Sequence, residues 1–508
     1  MYRFKIAAFL GGIMFVLILF PAKTFAVDTK RLEGTDRYET AVMLSQNNWE
    51  SSEYVVLASG EDFPDALCAS PLARKYNAPI LLTPKDSIGD KTLEEIKRLA
   101  PKNIYIVGGS GVISQSIQDK LSGMGIICTR LGGENRYATS LKVAQSLENV
   151  SSVFIVSGEN FPDAISAASI ASISNSPIIL TSKISIPVEI QKYVNSSSIT
   201  KKYVIGGTGA VSDTVFNKVS GAERIYGQNR YETNTAVISK FQNEYDFTDV
   251  FGASGKNYPD ALTGSAAASK IKAPLFIIDD NSSSKVKEYV KTIKDKISSI
   301  TVIGGKAVLS STSVEIFLSE FQVKVVIDPG HGGYDPGATG YSGSHEKDIN
   351  LAVALEAGEI LKSKGIDVIY TRNSDNVSWS ANVLNDLQTR CDIANKNNAD
   401  YFISIHCDSY IPNKDANGTS IYYYSLNSEG AKLAAFMQKE ITSDMGSVDR
   451  GIKTANYYVI KNTNCPSILI ELGFLSNPQE DKLLTSAAYQ KKCGSAIADA
   501  FAKYIEKY

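Results

Sequence analysis

Between Arg31 and Phe321 the chain says nearly the same thing three times, and a repeat of this kind constrains the architecture before any single residue does. The openings read Arg-Leu-Glu-Gly-Thr-Asp-Arg-Tyr from Arg31, Arg-Leu-Gly-Gly-Glu-Asn-Arg-Tyr from Arg130 and Arg-Ile-Tyr-Gly-Gln-Asn-Arg-Tyr from Arg224. Each copy then runs an apolar strand, Val55 to Ala58, Val153 to Val156 and Val250 to Ala253, into a Ser-Gly turn followed by an aromatic residue, Pro, Asp and Ala. Proline followed by Asp suits the first turn of a helix, where a missing N–H costs nothing and a carboxylate meets the positive end of the dipole. A second strand follows at Ile80 to Leu82, Ile178 to Leu180 and Leu275 to Ile278, and a third ends in Gly-Gly at Gly108, Gly206 and Gly304. Strands alternating with helices make each copy a small α/β module with a mainly parallel sheet. At about 95 residues a module is large enough for its own core. Three of them can pack as a ring about a pseudo-threefold axis or as an open row.

The R-x-x-G-x-[DN]-R-Y opening, the S-G-x-x-[FY]-P-D-A turn and the strand-Gly-Gly close resemble the cell wall-binding repeat 2 family of Gram-positive surface proteins. The resemblance covers nearly all of Arg31 to Phe321, with repeats at 27–129, 130–223 and 224–320. It implies a pseudo-trimer that attaches non-covalently to anionic wall polymers. The residues themselves leave two readings of Arg37, Arg136 and Arg230, each beside a tyrosine. A guanidinium can hold phosphate or carboxylate bidentately while an aromatic face covers a sugar. The same arginines can instead pair with the Asp of the Pro-Asp turns and lock each module internally. The Gly-Gly loops are weak as phosphate cradles and read as plain turns.

The first 26 residues stand apart from the fold. Arg3 and Lys5 precede an apolar run from Ile6 to Phe20, and Thr24-Phe25-Ala26 follows Pro21. This is the pattern of a secretory signal peptide cut after Ala26. An uncleaved anchor is the rival, weakened because the run is short of about 20 residues and stops at proline. No second hydrophobic span follows, so the mature protein is expected to be soluble outside the membrane. Formal net charge is -2, and neither half carries the strongly basic face that nucleic-acid binding requires. Six cysteines in 508 residues, with no Cys-x-x-Cys pair, are too dilute for a disulfide scaffold and read as small buried apolar residues. Cys407 is tempting beside His406, but neighbours on a strand point to opposite faces.

From Phe321 to Tyr508 the pattern changes to that of a single α/β domain. The apolar strand Val325 to Ile327 runs into Asp-Pro-Gly-His-Gly-Gly, delivering His331 to a loop, and the run Tyr401 to Ile405 delivers His406. Parallel strands bring their carboxyl ends to one edge, where ligands bind. Glu346 lies in the first turn of a helix ending near Gly365, and Ile468 to Ile470 leads to Glu471. Two histidines and a glutamate are a ligand set that holds catalytic zinc with one position open for water, and Glu471 is then the acid/base group. Taken singly, each has a duller reading: a loop histidine, a helix-dipole glutamate.

The motifs G-H-G-G-x-D-x-G, E-K-D-x-N-L, T-R-x-x-D with R-x-x-x-A-N, S-I-H-x-D and E-L-G-F-L-S-N resemble, in order and spacing, the zinc N-acetylmuramoyl-L-alanine amidases of type 3. In this chain they carry His331, Glu346, Arg372 with Asp375, Arg390 with Asn395, His406 and Glu471. The resemblance implies Zn2+ held by His331, Glu346 and His406, with Glu471 as catalytic acid/base. It also implies cleavage of the amide between muramic acid and L-Ala in peptidoglycan. Asp408 departs from the Asn more usual in the family, and His345 is expected to be a bystander. No inserted helix is long enough to block the site. The expected whole is a secreted autolysin of a Gram-positive wall: three small α/β anchoring modules and an α/β zinc amidase at 321–508, binding no nucleic acid. The alternatives are a wall-binding adhesion protein with an idle amidase-like domain and a zinc peptidase cutting the peptide stem.

Overall fold

Each repeat opening folds as a strand, a capped turn and a helix, and nearly every residue of the motif has a mechanical part in it. In this computed structural model, which describes residues 27–279, 284–319, 321–379, 381–424 and 429–508, Asp36, Asn135 and Asn229 are the N-caps. Asp36 accepts from the backbone N–H groups of Tyr38 and Glu39 at 2.9 and 2.8 Å, satisfying donors that the helix itself cannot. The helices Arg37–Asn48, Arg136–Ser146 and Arg230–Lys240 follow. The expected signal segment, residues 1–26, lies outside the described residues. No helix among the described residues is long and apolar enough to cross a membrane. The chain divides into two compact units, Val27–Gln322 and Val323–Tyr508.

In the first unit each module holds a four-stranded, wholly parallel sheet, as expected. The order in the first is Ile80–Thr83, Tyr54–Ser59, Asn103–Val107, Ile127–Leu131. The strand that carries each opening arginine belongs to the preceding module's sheet: Ile127–Leu131 lies beside Asn103–Val107, and Ala222–Ile225 beside Lys201–Ile205. Sequence repeat and structural module are thus offset by one strand. Asp28–Leu32 pairs with Ser299–Ile303 of the third module and closes a ring, which excludes the open row. The opening arginines staple this arrangement. Arg31 donates to the carbonyl of Gly304, Arg130 to that of Gly108 and Arg224 to that of Gly206, at 2.6, 3.1 and 3.0 Å.

At the middle of the ring the helices Ala69–Lys75, Pro162–Ile173 and Pro259–Lys270 touch one another pairwise. Their Ala and Ser side chains permit the close approach: the buried hydroxyls of Ser70 and Ser265 lie 2.6 Å apart. Phe63, Phe161 and Tyr258, the aromatic residues of the three Pro-Asp turns, meet with ring centroids 6.1, 5.9 and 6.4 Å apart. The carboxylates of those turns, Asp65, Asp163 and Asp260, feel Arg136, Arg230 and Arg37 respectively. Every such pairing crosses a module junction, so the lock runs between modules and not within one.

The second unit is built on a six-stranded sheet in the order Asp367–Tyr370, Lys324–Pro329, Tyr401–Asp408, Ser467–Phe474, Thr419–Tyr423, Asp449–Thr454. Its central strands are parallel, and Thr419–Tyr423 runs against Ser467–Phe474. Alternation sends Val325, Ile327, Ile403, Ile405, Ile468 and Ile470 into one core, with the helices Glu346–Ser363, Glu429–Met445 and Ala487–Lys507. Val326, Phe402 and Leu469 face the other side, against Val383–Lys396 and Tyr458–Asn462. All six cysteines are free; Cys128 and Cys465 are half-buried and the rest buried.

The junction carboxylates generate a pH prediction. Burial, only partly offset by the arginine across the junction, pushes Asp163 and Asp260 up to about 6. A carboxylate raised on folding contributes stability that is present at low pH and lost as pH rises through the folded value. The fragment Val27–Gln322 should therefore be more stable at pH 5 than at pH 7.5, by about 1 kcal/mol for each of the two groups. Urea titration at both pH values checks this; the double change Asp163→Asn and Asp260→Asn should remove most of the difference.

Candidate metal centre

The strand Lys324–Pro329 ends where proline and glycines break the ladder, and the next residue with chemistry, His331, is held in the left-handed region at φ 62°. A non-glycine residue persists there only when its surroundings over-determine it. Here Arg390 donates to the His331 carbonyl at 2.7 Å, and the Gly332 and Asp335 backbones bond to each other in both directions. Gly330 has no room for a side chain: a Cβ would collide with the His406 ring. Gly332 is closed off in the same way by Arg372, and Gly337 by Glu346 and His331.

Three side chains converge at this edge. Glu346, 4% exposed, sits between the imidazoles: His331 Nε2 is 3.2 Å from Oε2, and His406 Nδ1 is 3.0 Å from Oε1. The ligand atoms of His331, Glu346 and His406 all lie within 4.8 Å of one another, and no other such group of His, Cys, Asp or Glu occurs among the described residues. The same carboxylate accepts the Ala338 and Cys407 backbone N–H groups at 2.9 and 3.0 Å. Burial works against its charge, but the hydrogen bonds from His331 and His406 outweigh it and hold Glu346 well below the usual carboxylate range. Burial likewise opposes charge on His331, yet Glu346 and Asp335 raise it to about 9.

Glu471 lines the same cleft, opposite His406 in the strand register. Its Oε2 is closed off from solvent and has no hydrogen-bond partner. Burial first, then the neighbouring Glu346 and Asp408 carboxylates, push it well above the ordinary value. Two imidazoles and a carboxylate facing one point, with an orphaned carboxylate oxygen beside them, suit a divalent cation with a water at its open side. Such a cation would also relieve the charge that the two carboxylates now place on one another.

The other motif residues brace this centre. Arg372 donates to the carbonyls of Pro329, Gly330, Ser374 and Lys347, and Asp375 takes the Gly333 N–H and the Lys347 ammonium. Arg390 reaches Asp386, Asp328 and the Pro329 carbonyl, and Asn395 bonds the Asn462 and Asn464 backbone. His345 is exposed and stands outside the triad. Cys407 turns into the opposite core, its thiol pushed up by burial. Asp408 accepts its neighbour Ser409 N–H at 2.8 Å.

Arg37, Arg136 and Arg230 each give one Nη to the carbonyl of their own Ser-Gly turn, at Gly60, Gly158 and Gly255. Arg37 and Arg136 also line clefts at module junctions, of about 530 and 270 Å³.

Sequence reasoning gave no role to Asp335, whose Oδ2 lies 2.7 Å from His331 Nδ1. Nor did it find Asp481, which takes the Ser342 N–H and Ser344 hydroxyl and so fixes the loop leading to Glu346. The Asp four residues after His331 was a visible signal for the first; nothing local marked the second.

Residues 325–503 match the N-acetylmuramoyl-L-alanine amidase family, and residues 31–118, 130–216 and 224–315 match the cell wall binding domain 2 family. The N-acetylmuramoyl-L-alanine amidase LytC of Bacillus subtilis (strain 168) is 34% identical over 98% of this chain and 97% of its own. The amidase enhancer of the same organism is 33% identical over 58% of this chain and 40% of its own. Among solved structures, Cwp6 from Clostridium difficile is 32% identical, with a TM-score of 0.53 covering 94% of this chain and 80% of its own.

The triad yields a test on metal content. His331→Ala and His406→Ala should each lower bound metal to a small fraction of the parent's, read by elemental analysis after dialysis against dilute zinc. His345→Ala should bind as the parent does.

Proposed function

Because the chain belongs to the N-acetylmuramoyl-L-alanine amidase family and carries three cell wall binding repeats, we propose that it is an exported, zinc-dependent autolysin. It would cut the amide between N-acetylmuramic acid and L-alanine while its repeats hold it non-covalently to a Gram-positive wall. The observation that carries the zinc reading is the convergence of His331, Glu346 and His406 beside the unpartnered Glu471 oxygen. The assignment takes 1–26 as the signal peptide, 27–129, 130–223 and 224–320 as repeats and 321–508 as the catalytic domain.

Zinc in this triad would supply a Lewis acid for the scissile carbonyl and acidify the attacking water. Asp335 fixes the His331 ring by its Nδ1, leaving Nε2 turned toward Glu346. Glu471 takes the proton from the attacking water and returns it to the departing nitrogen of L-alanine. Its burial favours the protonated form once that proton arrives, which readies it to act as the acid. The Gly330 carbonyl is held by Arg372, which braces the His331 loop. On the ring, Arg37 and Arg136 in the junction clefts, and Arg230 at the corresponding place in the third repeat, are the groups assigned to anionic wall polymer.

Glu471→Gln keeps size and removes basicity, so it should leave folding and zinc content unchanged and lower kcat on the order of 10² to 10⁴. Near-normal turnover in the folded, zinc-loaded variant would rule out this role. Division of labour has its own test: Val323–Tyr508 should still hydrolyse soluble muropeptides but lose retention on intact walls. Val27–Gln322 should bind walls without cutting them, less firmly as salt rises and screens the contact.

A further inference from the structure

Two loops beside the metal centre carry large apolar side chains that the fold leaves uncovered. Tyr341, 63% exposed, lies between Gly337 and Glu346, and Tyr410 and Ile411, 51% and 75% exposed, follow His406. Both loops are tied to one short stretch of backbone. Tyr341 N–H donates to the Leu475 carbonyl and Tyr410 N–H to the Ser476 hydroxyl, both at 2.9 Å. Lys414 spans the gap, its ammonium 5.6 Å from the Tyr341 ring. Asn477 fixes the far end of the second loop through the Ala416 carbonyl at 3.2 Å. The result is a held ledge and not two independent loops, with three large side chains left open to solvent.

Its position relative to the cleft is set by the sheet. His406 and Glu471 point to the side where Val383, Leu387, Tyr457 and Val459 wall a cleft of about 390 Å³. The ledge stands apart from it: none of Tyr341, Tyr410 and Ile411 lines that cleft, and the stretch that holds them, Leu475 to Asn477, sends Leu475 into the opposite core and leads into the helix Pro478–Leu484, which packs on Ala487–Lys507. Substrate atoms on either side of the scissile amide therefore meet different surfaces.

We propose that the ledge formed by Tyr341, Tyr410 and Ile411 is the subsite for the glycan strand, and that the peptide stem occupies the cleft on the far side of the metal centre. This rests on the amidase reading above. A glycan strand continues in both directions past the muramoyl residue that is cut, so it needs an open surface; the stem is a single branch and fits a walled cleft. Sugar rings present flat C–H faces that stack on tyrosine, while the phenol and the Lys414 ammonium remain available to hydroxyl and acetamido oxygens. Because the loops are already held, little ordering accompanies binding.

The test uses the full zinc-loaded chain, with Tyr341→Ala and Tyr410→Ala combined, on two substrates with the same stem: a disaccharide muropeptide and strands of several disaccharides. The fall in kcat/KM on strands should exceed that on the disaccharide by at least tenfold, through KM and not kcat. Peptide-free glycan strands should inhibit the parent competitively, and the variant at least tenfold less. Equal losses on both substrates, no loss on either, or no inhibition of the parent by peptide-free strands would overturn the proposal. A parent chain that cleaves neither substrate would instead overturn the amidase reading beneath it.

Discussion

A carboxylate buried between two imidazoles sets the terms for the catalytic unit. An isolated charge in such a place is costly, and Glu346 is tolerated because two ring nitrogens, two backbone N–H groups and the amide of Asn350 surround it. Those partners come from several parts of the chain: His331 arrives on a glycine loop, His406 and Cys407 at the end of the central strand, Ala338 from the segment before the helix, and Asn350 from the helix itself. Fixing one carboxylate thus requires the first strand, the central strand and the first helix of the unit to meet at one edge of the sheet.

The polar residues around that edge keep it from collapsing. Asp328 is fully buried, yet Arg390, Thr371 and Ser404 outweigh the effect of burial and keep it below the ordinary carboxylate value. Arg390 in turn grips the His331 carbonyl, and Arg372 the carbonyl one residue earlier. Arginine suits both places, since its planar fork can serve several acceptors from one position where lysine would serve them as a single point charge. The motifs T-R-x-x-D and R-x-x-x-A-N supply, in the fold, much of the frame that holds the loop. In the repeat unit arginine does the same work, stapling the Gly-Gly turns and facing carboxylates across the junctions.

What could be read from the sequence follows from how local each feature is. The repeat openings are legible because capping, the Pro-Asp turn and the strand-Gly-Gly close each act within a few residues. The meeting of His331, His406 and Glu471 was legible because strand ends of a parallel sheet gather at one edge, and Glu346 joins them from a helix start. The ring was not decided by sequence, since its closure depends on Asp28–Leu32 finding Ser299–Ile303 at the other end of the unit. The direction of the Arg-Asp lock was hidden for the same reason. The strands Thr419–Tyr423 and Asp449–Thr454 escaped notice as well; the second, at the sheet edge and mostly exposed, shows no apolar alternation to betray it. Asp481 acts on a loop about 140 residues before it and carries no motif.

In the proposed enzyme His331, Glu346 and His406 hold one zinc ion, with Glu471 beside it and unbound. Diffraction from crystals of the zinc-loaded protein, collected on both sides of the zinc absorption edge, tests it most directly. The account predicts one strong anomalous peak in the catalytic unit, within coordinating distance of those three side chains, with Glu471 close by but outside the ligand set. A peak ligated by His345 or Glu471, or no zinc at the triad in protein that hydrolyses walls, would contradict it.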